Sequence, residues 1–556
     1  MINRPSNAPL SHPYWQLVPG IVLGTGLIGL VLLGLGSLLV TAGHLDFSVV
    51  WSSRYLRGVV TFTLWQAVLS VLLSLLVAVP VALALARFHD FTGRALLLRL
   101  MELSLVLPTI VAVSGIIGVY GRQGWLTTMV SEWFPHHGWN LYGVNGILLA
   151  HVFFNAPLAA RILLQTLEAV PAPRLRIASQ LGLRGWWLWR TVHWPAMRPI
   201  LPGLAALVFT LCFTSFAIIM TLGGGPATTT LEVAIYQALR FEFDFAQAAL
   251  LAVIQLVICG SLWWLAFQKQ MPTSLMPGRR FSNPITLRYS VSQRCLGAVL
   301  LWVFFVFLTL PLFAIILRGA PALVPLNGIP ALYFQLLPAT GRSLLIAIPA
   351  GLGAVLGALL TLAATHKSSG KMLSAIPVTA GYLPLVVPPL VLGTGLFLLL
   401  RPGLGNTAQG WALVSFINGL MALPFVIQVL RGPLAELDDN SRRLADQLGV
   451  LGWYRWRWLY WPRMRRPIAL GLAYGTALSM GDFGVIALFG SPGQPTLPVL
   501  MYQQLSSYRV ADAAGTGLWL LGLLMLIFVV LSAISRPAIR TQRVTASPSV
   551  VEPEHA

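Results

Sequence analysis

"ASQLGLRGWWLWRTVHWPAMR", residues 178–198, returns as "ADQLGVLGWYRWRWLYWPRMR", residues 445–465, at a constant offset of 267. The copies agree at 12 of 21 positions, and each carries several arginines while lying between long apolar runs. Self-similarity at one fixed spacing means a supersecondary unit used twice. A cationic, tryptophan-rich segment duplicated inside an apolar chain reads as a docking surface on the basic side of a membrane protein.

Composition fixes the class. Charged residues make up 9% and hydrophobic residues 57%, with a mean hydropathy of +0.78, against about 25% charge in a soluble domain. The formal charge of +20 would suit nucleic acid only on a soluble module with a basic, aromatic-interleaved face, and no such module is visible. Apolar runs of about 20 residues, enough to span a bilayer, lie near 18–42, 59–86, 97–120, 144–167, 199–222, 246–268, 294–317, 342–365, 373–400, 411–430, 468–489 and 513–535. The expected fold is an all-α membrane protein of twelve transmembrane helices. The first run is too long for a signal-peptide core and no small-residue cleavage site follows it, so it is expected to stay as an anchor. Cys212, Cys259 and Cys295 lack metal or disulfide spacing and read as packing residues.

Orientation follows from the basic residues. With the N-terminus in the cytoplasm, 28 of the 36 lysines and arginines fall inside, leaving Arg54, Arg57, Arg122, Arg240, Arg318, Arg342, Arg401 and Arg509 outside. An even number of spans separates the two copies, so both face the cytoplasm and the halves are parallel six-helix repeats. Other echoes agree: Pro157 with Pro424, "SFAIIMTLGG" near Phe216 with "DFGVIALFG" near Phe483, and "TLEVAIYQAL" from Thr230 with "TLPVLMYQQL" from Thr496. The expected division is a tail, first span and outer loop over 1–57, a first repeat domain over 58–268, and a Pro/Gly-rich cytoplasmic linker over 269–292. A seventh span with its outer loop over 293–336, a second domain over 337–535 and a cytoplasmic tail over 536–556 complete it.

Within each copy, a short amphipathic helix ending near Ala178 and Leu181 (Ala445 and Leu448) would turn at Gly182 or Gly185 (Gly449 or Gly452). A tryptophan-rich helix would then run to Pro195 (Pro462). The plainer reading is an interfacial helix anchored by Trp and Arg in the headgroups. Matched glycines in both copies favour a compact knob that seats in a partner's groove.

These residues, Ala178…Gly182 and Ala445…Gly449 with Pro195 and Pro462 thirteen positions on, resemble the EAA loop of binding-protein-dependent ABC importer permeases. The resemblance implies the type I importer (MetI-like) fold, with the loops as coupling helices inserted into an ATP-hydrolysing subunit. The usual glutamate is replaced by Arg176 and Arg443, and the usual first alanine by Ile177 and Leu444, so no ion-pairing role carries over. "VYGRQGWL" from Val119, "GILLAHVFFNAPLAARILLQTLE" from Gly146, "LGGGPATTTLEVAIYQAL" from Leu222, "GDFGVIALFG" from Gly481 and "MYQQLSSYR" from Met501 narrow it to a resemblance to fused permeases of thiamine ABC transporters. A fused iron(III)-type permease shares the layout but not these strings. The resemblance implies a partner ATPase dimer holding ATP and magnesium, no cofactor on this chain, a periplasmic thiamine-binding protein, thiamine and its phosphates as cargo, and the bacterial inner membrane.

None of the lysines, Lys269, Lys367 and Lys371, closes a GxxxxGK[ST] phosphate loop, so ATP hydrolysis is not expected of this chain. A secondary carrier also uses parallel repeats, but its charged signature belongs in a second-to-third-helix loop, here the short Arg87–Arg99 stretch. His151 and His193 form no HExxH, and no GxSxG is present, which argues against an embedded enzyme. The outer loops 223–245 and 490–512 are candidate contacts for a binding protein, with re-entrant packing the equal alternative. Asp482, where the first half has Ser215, is the carboxylate placed well inside a span. With Ser215, Phe216 and Phe483 it forms a candidate substrate pathway in which a carboxylate offsets the thiazolium charge, unless it caps a break near Gly481 and Gly484. Glu102 is expected near a cytoplasmic end, meeting Arg99 or water.

Overall fold

A computed structural model describes residues 18–43, 46–133, 139–267, 291–324, 331–365, 377, 380–385, 387–400, 407–450, 452–490 and 493–535. Outside them lie the N-terminal 17 residues, the tail from 536, Lys367 and Lys371, and the 269–292 linker apart from its last two residues.

Among the described residues, eight helices are long and apolar enough to cross a membrane, and two bent pairs raise the number to ten. One pair joins Arg94–Ser104 to Thr109–Trp133 and the other Gly185–Met197 to Leu201–Phe213, the latter bent by 63°. The first bend falls at Pro108, whose ring removes a donor and holds Leu107 in an extended conformation. Of the remaining apolar runs, 373–400 is described only in part, including the short helix Pro389–Leu400, and 468–489 is divided between Trp461–Gly481 and Gly484–Phe489. The helix Arg54–Arg87 has 34 residues, about 51 Å at 1.5 Å per residue. That exceeds the hydrocarbon thickness of about 30 Å, so the helix tilts or projects beyond it. Ser53 caps its start, accepting from the Leu56 N–H at 3.3 Å.

Small residues set how closely the helices approach. Val18–Ala42 packs on Pro389–Leu400 and Phe245–Phe267. A Cβ on Gly395 would overlap the Gly34 carbonyl, and Ser37 Oγ donates to the Gly395 carbonyl at 2.6 Å. Val291–Leu323 packs in the corresponding way on Thr109–Tyr120 and Val510–Ile534, where a Cβ on Gly115 would overlap the Pro311 carbonyl. In lipid, where apolar surface gains little from helix association, such backbone approach supplies the attraction. The leading helix of each half therefore reaches across to a helix of the other half.

Candidate functional site

Each duplicated loop folds into the expected knob. In the first copy Ala172–Gln180 ends with the Leu183 N–H donating to the Ala178 carbonyl at 3.0 Å and the Gly182 N–H to the Ser179 carbonyl at 3.1 Å. In the second the Val450 N–H donates to the Ala445 carbonyl at 2.9 Å, the same bond 267 residues on. Gly182 and Gly449 have φ of +64° and +63°, the left-handed conformation that closes a helix this way. Nothing lies within 4 Å of a Cβ built on either, so glycine is required for its backbone and not for room. Gly185, with φ +53°, and Gly452 then open Gly185–Leu188 and Gly452–Arg455. A π-turn follows in both copies, Trp189–His193 and Trp456–Tyr460, and Pro195 and Pro462 sit in the first turn of the next helix.

The knobs present the same chemistry. Ala178 and Ala445 face inward at 3% and 4% exposure, whereas Leu181 and Leu448 stand out at 69% and 68%. Trp186, Trp187, Trp453, Tyr454 and Trp458 are exposed beside them. Trp189 stacks between Trp186 and Trp194 at centroid distances of 4.6 and 5.3 Å. One difference is large. In the first half the span Val144–Glu168 stops before Ala172–Gln180, with Pro171 and Pro173 at the junction. The equivalent residues are Asp438 and Asn440, and there span and knob form one helix, Thr407–Gln447. The side chains of Glu436, Asp438, Asp439, Asp446, Arg443 and Leu444 lie outside the described residues.

The second feature lies at the helix breaks. Leu201–Phe213 stops at Thr214 and resumes as Phe216–Leu222, and Trp461–Gly481 stops at Asp482 and resumes as Gly484–Phe489. Equivalent positions on a neighbouring helix reach toward each break. His151 bridges Ser70 Oγ at 2.8 Å and Ser215 Oγ at 2.7 Å. Asn418, 267 residues on, donates to Ser479 Oγ at 3.1 Å and also meets the Asp482 carboxylate. That carboxylate lies beside the backbone N–H groups of Gly484, Val485 and Ile486, at the start of the resumed helix. Its Oδ2 has no hydrogen-bond partner among the described residues.

Phe216 and Phe483 face each other across these breaks. They stack at 5.4 Å, with Tyr236 edge-on to Phe216 at 5.1 Å and Tyr502 tilted on Phe483 at 4.8 Å. The sequence-derived pathway set thus meets at one place, and the two tyrosines join it. These come from the segments 223–245 and 490–512. The loop tips Gly224–Ala227 are exposed, but Leu231–Gln237 and much of Leu497–Ser506 are buried, which favours re-entrant packing for both segments. Each is tied at its first N–H: Leu231 donates to Thr63 Oγ1 at 3.0 Å and Leu497 to Ser343 Oγ at 2.9 Å.

Sequence reasoning missed Glu232, assigned to an outer loop but only 1% exposed here. Its Oε1 accepts from Gln255 Nε2 at 2.7 Å. The available signal was its partner in the repeat: Pro498 occupies the equivalent position, so the charge is particular to the first half. Glu102 pairs with Arg161 at 2.6 Å rather than with Arg99.

Residues 78–271 match the family model described as binding-protein-dependent transport system inner membrane component. The chain is 40% identical to the thiamine transport system permease protein of Escherichia coli, over 95% of this chain and 98% of that one. It is 39% identical to the same-named protein of Salmonella typhimurium, over 93% and 96% of the two chains. The Brucella abortus protein of that name is 38% identical over 94% and 96%. With such identity carried across nearly the whole of both chains, the protein belongs to the family of thiamine transport system permease proteins, among the binding-protein-dependent inner membrane components.

Proposed function

We propose that this chain is the membrane permease of an ABC importer carrying thiamine and its phosphates across the bacterial inner membrane. Twelve spans would form two parallel six-helix repeats with both termini in the cytoplasm. A separate ATPase dimer, holding ATP and magnesium, would grip the two knobs, and a periplasmic binding protein would deliver cargo to the outer face. The observation that supports this best is the pair of knobs closed by the same backbone bond 267 residues apart, each presenting an exposed leucine and aromatic cluster. Two equal docking points suit a partner that is itself a symmetric dimer.

Nucleotide would select between two packings of the halves, the knobs moving with the ATPase while the central break opens and closes. The thiamine names of the relatives favour that cargo over iron(III). The test is reconstitution of the chain in proteoliposomes with the ATPase and the binding protein. Expected is thiamine uptake that needs ATP and both partners; uptake by the chain alone would overturn the reading in favour of a carrier.

A further inference from the structure

The Glu232 carboxyl group stands out as a buried acid with no cationic side chain paired to it among the described residues. It is 1% exposed, and its Oε2 has no hydrogen-bond partner among the described residues. The ion pairs formed among them involve Glu168, Glu102 and Asp512 instead. Gln255 supplies one amide donor, while its own Oε1 is also without a partner. Two buried acceptor oxygens, Glu232 Oε2 and Gln255 Oε1, are therefore without a donor among the described residues, in a place where an unpaired acceptor is costly.

Position gives this a direction. Tyr236 lies one turn after Glu232 on the same face, about 6 Å along the axis, and packs edge-on against Phe216, which stacks on Phe483. Glu232 thus sits one turn from the aromatic contact that joins the two halves. Asp482, from the other half and next in sequence to Phe483, also has a buried oxygen with no hydrogen-bond partner among the described residues. Two buried acids, one from each half, thus flank the same aromatic contact, and neither is in an ion pair among the described residues.

We propose that Glu232 is a recognition residue for an organic cation in transit. Its free oxygen and that of Asp482 would receive the positive ring of the cargo when the Phe216–Phe483 contact parts, with the flanking tyrosine faces adding cation–π attraction. This rests on the thiamine reading, since the thiazolium ring is a permanent cation. A purely structural Glu232 would hold Gln255 equally well as an amide. Recognition of charge would not survive that change.

The experiment uses the full complex in proteoliposomes with the binding protein saturated by either of two cargoes: thiamine, or its uncharged isostere with thiophene in place of thiazolium. Expected for Glu232→Gln is a loss of thiamine transport of about tenfold or more, as removal of one close charge in a low-dielectric site predicts. Isostere transport should be little changed, so that the cation preference collapses, and Glu232→Asp should keep part of it. A Glu232→Gln variant with the wild-type ratio, whether both rates are normal or both fall together, would overturn the proposal and leave the thiamine reading standing. Failure of the wild-type complex to move thiamine would overturn both.

Discussion

Phe216 and Phe483, equivalent residues of the two halves, stack on each other with ring centroids 5.4 Å apart and planes 29° from parallel. Each follows directly on a helix break, so the pair holds the two hinges together through one contact. An aromatic pair contributes about 0.5–1.5 kcal/mol beyond its burial. Replacing either ring by leucine should loosen the closed state, raising ATP hydrolysis in the absence of cargo. A double-mutant cycle on cargo-free hydrolysis should give a coupling within that range; strict additivity would show that the rings are neighbours without a shared role.

The knob turns depend on backbone conformation. Valine at Gly182 or Gly449 would be forced to a φ near +64°, which β-branched residues resist. The Gly182→Val, Gly449→Val double variant should insert normally yet fail to pull down the ATPase, while asparagine, tolerant of that region, should keep most of the binding. Full cargo-stimulated hydrolysis in the valine variant would remove the knobs from the coupling path.

For Asp482, capping and charge can be separated. Asparagine keeps a polar oxygen beside the N–H groups of Ile486 and Val485, whereas alanine does not; loss of a capping group costs about 0.5–2 kcal/mol. Asp482→Asn should therefore express and assemble with the ATPase but transport thiamine more slowly, and Asp482→Ala should lose stability as well. Normal transport by Asp482→Asn would show that the carboxylate serves the helix alone.

His89, in the turn between Arg54–Arg87 and Arg94–Val106, has its pKa lowered by burial and then by Arg94, against smaller raising effects of Glu168 and Asp90. A histidine depressed in the folded state binds fewer protons there than when unfolded. The native state should lose stability as pH falls below the ordinary histidine value of about 6.5. Thermal unfolding followed from pH 7.5 down to about 5.5 should fall more for the wild type than for His89→Asn. Parallel curves would remove His89 from the pH response.

Spans and knobs were legible because both depend on local signals: unbroken apolar runs, and glycines and prolines recurring at 267. The buried side of Leu231–Gln237 was not legible. Its neighbours in sequence are a glycine-rich turn and the half-buried Arg240, and tertiary ties such as those to Thr63 and Gln255 draw it inward. The pairing of Glu102 with Arg161 spans 59 residues, beyond any pattern of local spacing. Pro171 and Pro173 were visible throughout, and against Asp438 and Asn440 they account for a junction broken in one half and continuous in the other.

That junction gives the two halves different mechanics. Thr407–Gln447 is one continuous helix of 41 residues with Pro424 and Pro433 inside it, about 62 Å long, so under the proposed coupling a push at the knob would be carried along a single element. The first half would meet the same push with a jointed linkage, Ala172–Gln180 being separated from Val144–Glu168 by the proline corner. Under the proposed coupling, a symmetric motor would drive one continuous helix and one jointed link, so that the stroke reaching the two halves would differ in timing even where it is equal in force.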